Sequence, residues 1–162
     1  MDTLLLNDLA YFFHKAAIAT YAGDGAEASP ERAGFRELEF REGDWQYRDS
    51  YNGFYQSWGQ EVIRHKGKIV WTQIYGGGME SEFNGNFDFA KQTFTFLKKA
   101  MIAGKETPDF RTRGPSKLAD GDWIYTSTMD GTVQRFKGHE EIHFKGKKVF
   151  THDFVGGLVL NK

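Results

Sequence analysis

Gly43-Asp44-Trp45-Gln46-Tyr47 returns 78 residues later as Gly121-Asp122-Trp123-Ile124-Tyr125. At the same offset Asn52-Gly53 returns as Asp130-Gly131. One inserted residue then shifts the offset to 79, and Gly59-Gln60-Glu61-Val62-Ile63 meets Gly138-His139-Glu140-Glu141-Ile142. Lys66-Gly67-Lys68 meets Lys145-Gly146-Lys147, Val70-Trp71-Thr72 meets Val149-Phe150-Thr151, and Gly77-Gly78 meets Gly156-Gly157. Upstream, Phe12 to Ala16 loosely matches Phe96 to Ala100. Agreement in the same order over so many positions reads as duplication of a unit of about 80 residues.

Each unit begins with an amphipathic helix. Leu5, Leu9, Phe12, Phe13 and Ala16 form one apolar stripe, and Ala90, Phe94, Leu97, Ala100 and Met101 form another. Asp2 or Thr3, and Asn86 or Asp88, are the candidate N-caps. Loops follow at about 21–35 and 103–115, and then strands joined by tight turns. Strands are expected at 36–41, 44–51, 54–65 and 68–76, with copies at 117–119, 122–129, 132–144, 147–155 and 157–160. Asn52-Gly53 and Asp130-Gly131 have the composition of two-residue type I′ turns, which need positive φ at both central residues. The expectation is an α+β fold, one domain over 1–162 made of repeats at about 1–80 and 81–162. Two helix-plus-four-strand units would form a curved antiparallel sheet of about eight strands around a pseudo-two-fold axis. Strand alternation places Trp45, Tyr47, Asp49 and Tyr51 on one face, with Trp71, Gln73 and Tyr75 likewise sharing a face. One side of the sheet should meet the helices and the other carry the row of aromatics. The seam between the halves is the default ligand site.

Composition narrows the function classes. The chain has 162 residues, a net charge of −1, 40% hydrophobic and 16% aromatic residues, 19 Gly and 3 Pro. That excludes disorder over most of the length and favours strands and turns. A near-neutral chain lacks the basic excess of a dedicated nucleic-acid binder, so no nucleic-acid partner is expected. With no Cys, disulfides, thiolate zinc sites and Cys nucleophiles are excluded. No apolar run approaches the roughly 20 residues of a membrane span, and no basic n-region opens the chain. The reading is a soluble cytoplasmic protein.

Several strings have a catalytic look. His139-Glu140-Glu141-Ile142-His143 matches H-E-x-x-H, which binds zinc only on a helix. Here it lies in strand pattern, where i and i+4 are about 13 Å apart, so no metal site is expected. Glu61 and Glu140 recur at matched positions. They read either as acids fixing hairpin ends through backbone or a nearby Arg, or as a symmetric pair at the seam. Asp49 shares its face with aromatics, which costs free energy unless it is paired. Gly77-Gly78 and Gly156-Gly157 read as bends, and no Walker or dinucleotide fingerprint calls for a cofactor. The basic hairpin tips Arg64-His65-Lys66-Lys68 and His143-Lys145-Lys147-Lys148 read as solvated turns. In the long loops, Arg32 and Arg113 stand out because a guanidinium can grip a carboxylate in bidentate fashion.

A family resemblance adds to this. It is carried by Lys15-Ala16, by Thr20 to Glu27, by Pro30, Arg32 and Gly34, and by Leu38-Glu39-Phe40 with Glu42-Gly43-Asp44. Arg113-Gly114-Pro115 ahead of Gly121 to Tyr125, and the closing Phe154 with Gly156-Gly157, complete it. Together these resemble the bacterial and archaeal DUF5680 family over roughly residues 9–159. That family has no established activity or catalytic residues to transfer. Some members follow a helix-turn-helix domain in transcriptional regulators, which implies a sensing or effector-binding role. This chain departs from that pattern, because its first helix leads straight into the loop, and in its long run from Phe83 to Gly104.

The functional expectation is a small-molecule-binding domain. Trp45, Tyr47, Trp71 and Tyr75 would stack a ligand and Asp49 or Arg32 would orient it, with Glu39, Gln73, Arg113, Tyr125 and His152 as further candidates. Trp71→Ala should then abolish binding without unfolding the protein. One alternative is an enzyme using Asp49, Glu39 or Glu61 as general base. Another is an interaction module forming a homodimer through an edge strand or the aromatic face.

Overall fold

The computed structural model describes residues 3–107 and 109–161. Helix α1 (Thr3–Ala19) forms on the expected stripe, with Leu9, Phe12, Phe13 and Ala16 buried. Asp2 and the side chain of Thr3 lie outside the described residues, so the expected first cap is not placed. Helix α2 (Phe87–Lys105) starts at Asn86, whose side chain accepts the Phe89 N–H. That bond satisfies one of the orphan donors of the first turn.

The strands are β1 (Glu27–Ala28), β2 (Arg36–Glu42), β3 (Trp45–Gly53), β4 (Gln56–His65) and β5 (Lys68–Met79) before α2. After it come β6 (Lys117–Asp120), β7 (Trp123–Thr132), β8 (Arg135–Phe144) and β9 (Lys147–Leu158). All nine join one antiparallel sheet in the order β1-β2-β3-β4-β5-β9-β8-β7-β6. The fold is therefore α+β with an antiparallel sheet, as the alternation predicts. The two-residue β1, inside the first loop, is the strand that the alternation does not predict. The expected strand at 157–160 is the end of an unbroken β9. The central junction is β5 against β9, where Tyr75 faces Phe154 and Met79 faces Phe150.

The type I′ turns are elsewhere than expected. Asn52-Gly53 lies within β3, and the chain reverses after it through Phe54-Tyr55, with Gly53 opposite Ser57 of β4. The two-residue turns with consecutive positive φ are Lys66-Gly67 (51° and 75°) and Lys145-Gly146 (51° and 79°). Asn-Gly carries the stronger sequence signal, but the strand register leaves it one step short of the reversal.

Register fixes the faces. Tyr47, Ile63 and Trp71 lie opposite one another across β3-β4-β5, and Tyr125, Ile142 and Phe150 across β7-β8-β9. The first set packs under α1 with Leu9, Phe12 and Phe13, the second under α2 with Leu97, Ala100 and Met101. Both helices thus cover one face, and it is the aromatic face. The expectation of an open aromatic side is corrected: rings of this size are worth most out of water, and the helices bury them. The opposite face carries charge. There Arg48 pairs with buried Glu37 and, at 2.7 Å, with Glu39, while Gln46 donates to Glu39 at 2.9 Å. The H-E-x-x-H string falls in β8, where His139 meets Asp153 and Glu141 rather than converging with His143 across a helix turn.

Candidate functional site

Between the sheet and the two helices lies a cavity of about 430 Å³. Its inner walls include Phe13 and Ala17 of α1, Tyr47 and Asp49 of β3, Glu61 of β4, Tyr75 of β5, His152 of β9, and Thr112 and Arg113 of the loop after α2. The exposed lining residues mark the mouth. They come from Asp24 and Glu27, from Gly53 and Phe54, and from Lys91 and Thr95 on α2. Ion pairs Lys98–Asp24 and Arg36–Glu27 stand at that rim.

Strand pairing builds the floor. In one row across the sheet, Leu38, Asp49, Glu61, Gln73 and Gly156 are successive cross-strand neighbours. In the next, Ser127, Glu140, His152 and Gly77 are neighbours. Facing Cβ atoms in such a ladder are about 5 Å apart, so the register alone puts Asp49 beside Glu61. Both are 3% exposed.

The second row is electrostatically closed. Arg113 donates to Glu140 Oε1 through Nε at 2.9 Å and approaches it through Nη2 at 2.7 Å. Tyr125 donates its hydroxyl to Glu140 Oε2 at 2.6 Å and accepts the Gly114 N–H at 2.8 Å. His152 Nδ1 lies 3.2 Å from both Arg113 Nη2 and Glu140 Oε1. Burial works to raise the Glu140 carboxyl, but the Arg113 guanidinium and the His152 ring outweigh it and hold it at about 2. Burial lowers the His152 imidazole, keeping it neutral near pH 7. The loop is seated by a close approach: a Cβ on Gly104 of α2 would lie 2.2 Å from the Arg113 carbonyl oxygen. Lys105 then donates to the Arg111 and Thr112 carbonyls at 2.7 and 2.8 Å, and burial lowers its ammonium to about 7.

The first row is open. Tyr75 donates its hydroxyl to Asp49 at 2.9 Å, and among the described residues no cation forms an ion pair with Asp49 or Glu61. Burial and the facing Glu61 push Asp49 well above the usual carboxylate range, with the Tyr75 hydroxyl and Arg113 pulling the other way. Burial raises Glu61 to about 6 against the opposing pull of Arg113 and Lys105 and, more weakly, of the neighbouring Gln73 amide and Tyr47 hydroxyl. Among the described residues, three buried atoms on lining residues have no hydrogen-bond partner: Glu61 Oε2, Thr112 Oγ1 and His152 Nε2. Gln73 lies near enough to Glu61 to favour its ionised form, yet its amide misses hydrogen-bond geometry and both polar atoms stay unpaired.

Of the residues singled out from sequence, Tyr47, Asp49, Tyr75, Arg113 and His152 converge on the cavity. Gln73 and Tyr125 lie buried in the floor. Trp45 stacks between Phe12 and His65. Trp71 is fully buried, packed between Phe13 and Phe136 with its indole N–H on the Val133 carbonyl at 2.9 Å. Both tryptophans are core rather than cavity wall. Arg32 and Glu39 lie on the far face, Arg32 donating to Gln60 at 2.8 Å and Glu39 holding Arg48 and Arg41. Glu61 and Thr112 complete the site. Glu61 was signalled by its recurrence at Glu140; Thr112 had no signal beyond its place before Arg113.

On the uncovered face a wider, more open depression of about 700 Å³ runs past Trp58, Ile74 and Val155, each more than half exposed. Among the described residues, no group of three His, Asp or Glu is placed to hold a metal ion, and no helix is long and apolar enough to cross a membrane. A family model described as "Domain of unknown function (DUF5680)" matches residues 49–159, a span that holds both rows of the cavity floor except Leu38. No curated protein and no solved structure matches the chain.

Proposed function

The chain belongs to the DUF5680 family, and we propose that it binds a small molecule in the cavity beneath its two helices. The observation that carries this is the set of unpaired buried atoms, Glu61 Oε2, Thr112 Oγ1 and His152 Nε2, on residues lining a space of about 430 Å³. A buried polar atom without a partner costs about 1–3 kcal/mol, and a ligand that bonds it recovers that cost. The volume lies within the usual range for ligand pockets, roughly 300–1,000 Å³, and the mix of aromatic walls with a few convergent polar groups is typical of them.

We further propose that the sheet arose by duplication of a helix-plus-four-strand unit related by a pseudo-two-fold axis. Three matched features support it: the mirrored strand order about β5 and β9, bulges at Ile63/Arg64 and Ile142/His143, and the paired Lys-Gly turns. On that reading the halves have diverged in charge. Asp49 corresponds to Ser127 and Gln73 to His152, so one half is neutralised and the other left reactive toward a ligand.

The test is a thermal-shift screen against a metabolite collection with wild type and Ala17→Phe, whose ring would occupy the cavity. Hits that vanish in the folded variant support the proposal, and hits indifferent to it refute it. An enzyme is the second reading, favoured by the position of Glu61 at about 6 beside Asp49. A carboxyl titrating there is suited to general acid-base work near neutrality.

A further inference from the structure

Resting on the ligand-binding reading, we infer that the ligand is an organic monocation, an ammonium-bearing molecule with an aromatic or aliphatic body, whose charged head sits between Asp49 and Glu61. Three carboxyls are buried around the cavity floor, Asp49, Glu61 and Glu140. Arg113 is committed to Glu140 at 2.7 and 2.9 Å, and Lys105 is turned to the carbonyls of Arg111 and Thr112. With all three carboxyls ionised and both cations counted, the interior is one positive charge short, and the shortfall falls on the Asp49–Glu61 row, which has no cation of its own. A buried carboxylate needs a partner of opposite charge or it gives up its ionisation. Glu61 Oε2 is an acceptor with no donor among the described residues, and Tyr75 occupies Asp49 with a single hydroxyl. An ammonium group brings three donors and one charge.

The surroundings suit the same chemistry. Phe13, Tyr47 and Tyr75 line this part of the cavity, and aromatic faces attract a desolvated cation. Arg113 already uses the Tyr75 face in this way, 5.3 Å from the ring centroid. A carboxylate ligand would meet the opposite situation, two acids of its own sign and a guanidinium already spoken for. At the neutral end of the cavity, Thr112 Oγ1 and His152 Nε2 are free to hydrogen-bond an uncharged polar group on the ligand body.

The experiment is isothermal titration with matched triads that share a body and differ in the head: phenethylamine, 2-phenylethanol and phenylacetate, then hexylamine, hexanol and hexanoate. In wild type the amine of a triad should bind at least about tenfold tighter than its neutral and anionic partners. Glu61→Gln and Asp49→Asn, each checked by melting temperature, should keep the fold and bring the amine level with the alcohol. An alcohol or carboxylate that binds as well as its amine overturns the monocation and leaves the binding reading standing. No binding from any head on either body, together with a blank metabolite screen, overturns both.

Discussion

Arg113→Met should be the most revealing change in the cavity floor. Arg113 is 3% exposed and Glu140 0%, and the pair is held by two contacts below 3 Å. Removing one member of a buried pair strands the other, at a cost of about 3–5 kcal/mol. The Glu140 carboxyl points the same way: although burial works to raise it, the Arg113 guanidinium and the His152 ring hold it at about 2 in the folded protein, below its ordinary 4.5, an effect of the same order at roughly 1.4 kcal/mol per unit. Because the folded value is depressed, this stability is present above pH 4.5 and is lost as the pH falls through about 2. Urea denaturation at neutral pH should therefore show Arg113→Met less stable by about 3–5 kcal/mol, at unchanged m-value. Adding Glu140→Gln to Arg113→Met should recover most of the loss, since the amide still accepts from Tyr125 and no charge is left unpaired. Glu140→Gln alone should lack the acid-side loss of stability between pH 4.5 and 2. A cost below about 1 kcal/mol for Arg113→Met, or a double variant no better than the single, would refute the closed-row argument.

Glu61→Gln should raise stability at pH 7 by about 2 kcal/mol. The raised acid stabilises the fold below about pH 4.5 and loses that contribution as the pH rises through about 6, a decline that pH-resolved melting should show in wild type and not in the variant. Trp71→Ala should cost about 3–5 kcal/mol in chemical denaturation, because it empties a fully buried site and orphans the Val133 carbonyl; a variant of near wild-type stability would contradict its placement in the core. Asn86→Ala should cost about 1 kcal/mol through loss of the α2 cap, read from the urea midpoint.

The helices and eight of the strands were legible because apolar spacing and alternation are strong signals in a chain this rich in aromatics. The covered face was not, since alternation tells which residues share a side and not which side is buried. Bulges add to the difficulty: the register shift at Ile63/Arg64 leaves Trp71 opposite Ile63 but Ile69 opposite Arg64, so Ile69 ends 41% exposed despite sharing Trp71's parity. Alternation set Glu39 apart from Leu38 and Phe40, but that it faces away from the cavity follows from the register, which places Leu38 opposite Asp49. Arg32 was singled out with Arg113 as a loop guanidinium able to grip a carboxylate, yet it follows a short β1 on the sheet edge and bonds Gln60 on the far face. Asp49 was legible as a carboxyl needing a partner. That its neighbour would be Glu61, another acid, follows only from register, which sequence does not print.

A ligand that enters the space between the helices and the sheet must perturb the residues that line it. A titration of labelled protein with the strongest screen hit, followed by amide chemical shifts, tests such entry most directly. The predicted result is a set of saturable shifts centred on Tyr47, Asp49, Glu61, Tyr75 and Arg113. Shifts confined to Trp58, Ile74 and Val155 on the uncovered face would place binding outside the cavity and contradict it.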